Sequence, residues 1–191
     1  TPWASSAASD VYKRQLAYKV CFKQKVLIMK FISYKHNSEP KFGIIDNNLI
    51  TDLTGKISGA DTLKDLIFKN GISEAKTYAS INPGNISVDD IEYLPLIPNP
   101  GKIICVGLNY SEHVKETNRT VEENPVIFHR FPESQTAHMQ PIQRPIASDN
   151  LDFEGEMAVI MGEAGKHIKP EDASKHIVGY SCYNESTIRD W

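Results

Sequence analysis

Leu151-Asp-Phe-Glu-Gly-Glu-Met-Ala-Val-Ile-Met-Gly162 is the stretch from which the rest of the chain can be placed. Its apolar, β-branched run predicts a strand, and the density of apolar neighbours predicts that most of it is buried. Alternate side chains of a strand share a face, so Glu154 and Glu156 are expected to point the same way. Two anions aimed at one spot repel each other and lose hydration, a cost that a bound cation turns into a binding site. Taken alone, a Glu-x-Glu strand more often describes the wet face of a half-exposed sheet. The flanking Leu151, Phe153, Met157, Val159 and Ile160 argue for a counter-charge instead, because unpaired carboxylates are costly to bury.

Upstream lies Asn109-Tyr-Ser-Glu-His-Val-Lys-Glu116, which predicts a helix from about Tyr110 to Thr117. Three residues apart on one helical face, His113 and Glu116 can pair, the carboxylate raising the basicity of the imidazole and making it a general base for water. The same spacing also describes an ordinary solvated ion pair. Arg130 closes a predicted strand, Val126 to Arg130, and is a candidate for lining a pocket, since strand-end residues often serve sites. Downstream, in Gly179-Tyr-Ser-Cys-Tyr-Asn-Glu-Ser-Thr-Ile-Arg-Asp-Trp191, Glu185 follows a strand end and can complete a set of three carboxylates. Arg189 offers a planar fork suited to a substrate carboxylate.

The remainder divides near Pro95 to Gly101. Residues 29–95 predict a small α+β domain: strands Phe31 to Tyr34, Phe42 to Ile45 and Leu49 to Leu53 separated by turns at Asn37 and Asn47-Asn48, then helices Thr62 to Asn70 and Ser73 to Ser80. Asp61 or Thr62 is the candidate N-cap, with Gly71 closing the first helix. The Pro-rich link Leu94 to Gly101 leads into Lys102-Ile-Ile-Cys-Val-Gly107, a buried-strand signal that opens a second, catalytic-looking segment, residues 101–191. A short helix starting at Pro170 and a strand from His176 to Tyr183 complete it.

The chain carries 21 Lys plus Arg against 24 Asp plus Glu, a formal net charge of −3. Residues 1–28 are themselves basic, so the rest is more acidic still, which argues against nucleic acid or an anionic membrane as partner. No apolar run approaches the ~20 residues of a bilayer span. Cys21, Cys105 and Cys182 are odd in number and widely spaced, indicating neither a disulfide framework nor a zinc clip. A reducing cytoplasmic compartment is expected, an organelle matrix being the alternative. Ser5 to Gln15 looks like the translation of a sequencing adaptor, Leu16 to Ile28 like read-through, and Met29 like the natural start. A basic organelle presequence is the competing reading of that leader. Trp191 falls inside a motif, so the second domain is expected to be truncated.

Lys102 to Glu116, Leu151 to Gly162 and Gly179 to Trp191 together, in order and spacing, resemble the fumarylacetoacetate hydrolase family, over about residues 29–191 and most specifically 102–191. The resemblance implies an α+β chain in which a small mixed domain precedes an incomplete mixed β-roll. It implies Mg2+, Mn2+ or Ca2+ held by Glu154, Glu156 and Glu185, although many members have Asp in an Asn-Asp pair where this chain has Asn184-Glu185. His113 and Glu116 match the family's lid-borne dyad, and Arg189 matches an arginine that binds the substrate carboxylate. The family's following Gln and a later Lys have no counterpart. Implied with these are a homodimer, a small carboxylate substrate, and metal-assisted hydrolysis of a carbon–carbon bond in a 1,3-dicarbonyl or 2-oxo acid. Decarboxylation, keto–enol isomerisation and an inactive truncated fragment are the alternatives.

Overall fold

The computed structural model describes residues 29–110, 114 and 124–190. Its first part is an antiparallel sheet of five strands, β1 (Lys30–His36), β2 (Glu39–Asp46), β3 (Leu49–Asp52), β4 (Ile86–Ser87) and β5 (Glu92–Tyr93), in the order β4-β3-β2-β1-β5. Pairing His36 with Glu39 and Asp46 with Leu49 leaves two-residue loops. The loop residues take left-handed φ, 52° and 67° at Asn37 and Ser38 and 47° and 67° at Asn47 and Asn48. Such hairpin turns match the twist of their strands, and asparagine tolerates that conformation best after glycine.

Helices α1 (Leu63–Phe68) and α2 (Ile72–Ile81) pack on one face of this sheet. Thr62 caps α1 through a capping box: its hydroxyl accepts from the Asp65 N–H at 3.2 Å, and the Asp65 carboxylate accepts from the Thr62 N–H at 2.9 Å. The helix does not close on Gly71 as expected. Asn70 takes the left-handed turn at φ 57°, while Gly71 becomes the N-cap of α2. Gly71 is small for a different reason, because a Cβ there would lie 2.7 Å from Leu66 Cδ1.

Phe42, Leu53, Leu63, Leu66 and Ala75 form the core between sheet and helices. Ile32, Tyr34 and Ile50 form a second cluster on the opposite face, closed by Ile86, Val88 and Ile91. The Pro-rich link is part of this body: Leu94 N–H donates to Ser33 O at 3.0 Å, Ser33 Oγ donates to Leu96 O at 2.7 Å, and Leu96 and Ile97 pack on the core.

The second part is built of strand pairs. β6 (Ile103–Gly107) runs antiparallel to β7 (Val126–Arg130), β8 (Leu151–Asp152) to β11 (Thr187–Ile188), and β9 (Gly155–Met161) to β10 (Ile177–Asn184). A 3-10 turn, Pro170–His176, precedes β10. With its many strands and few helices this is the mixed architecture that the sequence predicts. Two expectations fail in detail. Leu151 to Gly162 is two strands broken at Phe153 and Glu154 rather than one. It is also not largely buried, nor is β6: Phe153, Met157, Met161 and Ile104 are exposed, and in β6 Cys105 alone is buried. Among the described residues each of these strands has one pairing partner, and no described layer covers the outward side of these ribbons. No helix among the described residues is long and apolar enough to cross a membrane.

Candidate active site

The break at Phe153 and Glu154 is a corner where two strands change partners together. Strand β8 leaves β11 and continues as β9 beside β10, while β10 ends at Asn184 and resumes as β11 at Thr187. The two corners are tied through their backbones: Glu185 N–H donates to Glu154 O at 2.8 Å, and Glu154 N–H donates to Asn184 Oδ1 at 3.0 Å. Asn184 Oδ1 also accepts from Ser186 Oγ at 3.0 Å. Glu154 therefore does not reach its position by strand alternation with Glu156, since it stands in the corner rather than in the strand. Glu156 follows in β9, opposite Tyr183.

All three predicted carboxylates, Glu154, Glu156 and Glu185, line one cavity of about 760 Å3, together with Asp152 and Arg189. Cys105, Asn109, Tyr110 and Phe128, from β6, the segment after it and β7, form another part of its wall. Glu185 is 5% exposed, and its carboxylate takes the guanidinium of Arg130. Arg130 also donates to Ser186 O at 2.8 Å. Arg130 is thus brought to the site as a brace behind Glu185, and it is not among the residues lining the cavity. Arg189 donates from Nε to Asp152 Oδ2 at 2.9 Å, and its Nη2 lies 3.4 Å from Glu154 Oε1. Its backbone is fixed by an N–H bond to Asn150 O at 3.1 Å, and Asn150 N–H in turn donates to buried Ser148 Oγ at 3.0 Å.

The charge pattern is felt by neighbouring groups. Burial pushes the Cys105 thiol up from its ordinary value, and the Glu185 carboxylate adds to this while Arg130 opposes it. Burial likewise raises the Tyr183 hydroxyl against the opposing effect of Arg130. The hydrogen bond that Arg189 donates to Asp152 holds it more firmly protonated than an ordinary guanidinium.

Three carboxylates around one cavity have the donor chemistry of a hard divalent cation, which takes oxygen ligands. As placed, no three His, Cys, Asp or Glu among the described residues are gathered closely enough to hold a metal ion. Glu185 and Glu154 engage guanidinium groups, so a cation entering here would exchange with Arg130 and Arg189 for carboxylate oxygens. The donor types fit a metal. His113 and Glu116 lie outside the described residues; beside them Val114 is helical and buried, its N–H donating to Tyr110 O at 3.1 Å. Asp152 and Cys105 line the cavity and Asn184 ties the corner beside it, roles the sequence reading did not give them. The signal for Asp152 was present: it stands two residues before Glu154 in an otherwise apolar run.

Residues 102–191 match the family described as Fumarylacetoacetate (FAA) hydrolase C-terminal. A Xenopus laevis protein named oxaloacetate tautomerase fahd2, mitochondrial, is 39% identical over 123 residues, 64% of this chain and 39% of the relative. A Homo sapiens protein named oxaloacetate tautomerase FAHD2A, mitochondrial, is 37% identical over 102 residues, 53% of this chain and 32% of the relative. The chain thus spans well under half the length of these curated relatives. Among solved structures, fumarylacetoacetate hydrolase from Exiguobacterium antarcticum superposes with a TM-score of 0.70 at 29% identity, covering 85% of this chain and 57% of the other. Maleylpyruvate hydrolase from Sphingobium sp. SYK-6, in complex with manganese(II) and pyruvate, superposes at 0.69 over 86% of this chain and 60% of the other. At 20% identity this second likeness speaks for the fold.

Proposed function

Residues 102–191 belong to the fumarylacetoacetate (FAA) hydrolase C-terminal family, and from that premise we propose an enzyme that acts through enolisation on a small 2-oxo or 1,3-dicarbonyl acid. The observation that carries this reading is the single cavity lined by Glu154, Glu156 and Glu185 with Arg189 at its wall. Glu154, Glu156 and Glu185 would hold Mg2+ or Mn2+. A bound divalent cation polarises a carbonyl oxygen and makes the neighbouring C–H more acidic. Arg189 holds the substrate carboxylate, which fixes the orientation of the carbonyl beside it. His113, three residues before Glu116 in the sequence, would take the proton at an imidazole nitrogen. Phe128 and Phe153 give the cavity wall its apolar part.

Keto–enol interconversion of a 2-oxo dicarboxylic acid is the leading reaction, supported by the names of the relatives at 37–39% identity. Hydrolysis of a carbon–carbon bond in an acylpyruvate or fumarylacetoacetate is the second reading, supported by the His113-Glu116 pair, which suits activation of water. We place the protein in the cytoplasm or an organelle matrix and expect a homodimer, for which the apolar outer side of β9 and β10 offers surface.

The test is a substrate panel of oxaloacetate, acylpyruvates and fumarylacetoacetate with Mg2+, using the full-length gene product. Decay of the enol absorbance of oxaloacetate without fragment release supports tautomerisation, whereas stoichiometric release of two acids supports hydrolysis. Chelation by EDTA and Glu156→Ala should each lower turnover by at least about a hundredfold. Turnover that survives both would remove the metal from the reading. Light scattering that gives a monomer mass at micromolar concentration would remove the dimer.

A further inference from the structure

We propose that Asp152 is the positioning residue for Arg189, setting the guanidinium so that its remaining donors meet the carboxylate of a 2-oxo acid. This rests on the reading of Arg189 given above. Asp152 and Arg189 are brought together by one strand ladder: Asp152 pairs with Thr187 in the β8–β11 register, and Arg189 lies two residues on. Diagonal neighbours of that kind are within reach of a long side chain. The Arg189 N–H bond to Asn150 O fixes the backbone, and Asp152 Oδ2 then takes Nε at 2.9 Å.

The choice of Nε is the informative detail. A guanidinium has five N–H donors in a rigid plane, so fixing Nε sets the direction of both terminal nitrogens. One of these, Nη2, lies 3.4 Å from Glu154 Oε1, which places the plane beside an expected cation ligand. A carboxylate bound by the remaining donors would thus sit next to the oxygen cluster, as a 2-oxo acid requires when its carbonyl and carboxylate are adjacent. The pair has little to do as a structural tie. The Arg189 and Asp152 side chains are 39% and 51% exposed, and ion pairs of that exposure contribute little to folding. Asp152 also lines the cavity itself, where an uncompensated acid would repel an anionic substrate. Its pairing with Arg189 removes that repulsion.

The experiment compares Asp152→Asn, Asp152→Glu and Arg189→Lys in the full-length gene product. It uses steady-state kinetics on oxaloacetate, calorimetric binding of sodium oxalate with Mn2+ present, and 15N spectra of arginine-labelled protein. Asp152→Asn is expected to raise KM and weaken oxalate about tenfold, with kcat held within about twofold, the pattern of lost carboxylate binding. The Arg189 Nε–H signal should shift with it, and Asp152→Glu should recover at least half of the lost affinity. If Asp152→Asn leaves KM, oxalate affinity and the Nε–H signal unchanged while Arg189→Lys weakens both, Asp152 does not position Arg189. If Arg189→Lys itself leaves KM and oxalate affinity unchanged, the carboxylate-binding role of Arg189 fails and the proposal with it. Oxalate binding reads the contact even if the protein turns over none of the panel.

Discussion

Arg130 and Glu185 show how one ion pair can fix both a strand end and a carboxylate. The Glu185 side chain is 7% exposed and that of Arg130 26%, so removing Arg130 strips a nearly buried carboxylate of its counter-charge, while removing Glu185 leaves a partly hydrated guanidinium still bonded to Ser186 O. Glu185→Ala is expected to lower stability by about 2 kcal/mol in urea unfolding, the Arg130 hydration discounting the usual cost of breaking a buried pair. Glu185→Gln, which keeps the shape and an acceptor oxygen, should cost less. Cys105 reports on the same charges. Its raised thiol contributes stability that is fully present below the ordinary thiol value, ~8.5, and lost as pH rises through the higher folded value. Stability measured from pH 7 to 10 should therefore fall more steeply for the parent than for Cys105→Ala. Labelling by a thiol reagent at neutral pH should reach exposed Cys182 well before buried Cys105. The sequence showed Glu154, Glu156, Glu185 and Arg189 as acids and a base of fitting type. It did not show that two arginines are engaged by two of those acids, because pairing across 55 residues leaves no local spacing to read.

At the scale of elements, the first module carries its instructions locally. Thr62→Ala removes the hydroxyl of the capping box and should cost about 1 kcal/mol in thermal or urea unfolding. Gly84→Ala should cost more, because its Cβ would lie 2.8 Å from the Ile50 carbonyl carbon and 3.0 Å from Ile50 N, both backbone atoms that cannot swing aside. Asp52 adds a pH dependence of the opposite sign to Cys105. Burial works against its charge, but the Lys41 ammonium at 2.8 Å and the Thr54 N–H at 2.9 Å prevail and hold its carboxyl low. Its contribution is present above the ordinary carboxylate value and is lost as pH falls through the lower folded value. Lys41→Met should flatten the loss of stability between pH 5 and pH 3. Here the hairpins, both helices and the Thr62 cap were legible, since each depends on residues two to four apart. Gly71 was misread because Asn and Gly stand side by side at a helix end and either can take the turn. The break at Phe153 and Glu154 was hidden for a different reason: its cause is the partner strand, which changes at Asn184 to Thr187.

For the molecule as a whole, exposed apolar surface separates the two parts. Met157, Val159 and Met161 of β9, with Val178 and Tyr180 of β10, stand outward at 39–61% exposure. The opposed pair Val159 and Tyr180 places them on one side of the ribbon. Surface of this kind commonly marks an interface. The chain of 191 residues should therefore bind a hydrophobic dye, and Val159→Lys with Tyr180→Lys should reduce that binding while leaving the first module folded; unchanged dye fluorescence would place the apolar surface elsewhere. The apolar count of this stretch misled the sequence reading about burial, because residues suited to a core and residues suited to an interface have the same composition. The corner at Glu154 and Glu185 has a consequence for how such a protein can diverge. Its two strands are tied to each other by a main-chain amide and by Asn184, with the Arg130–Glu185 pair as a further brace. An ancestral sequence could exchange one acid for another there, or trade a cation ligand for an arginine partner, and inherit the same scaffold. New reactions can arise at this corner without a new fold.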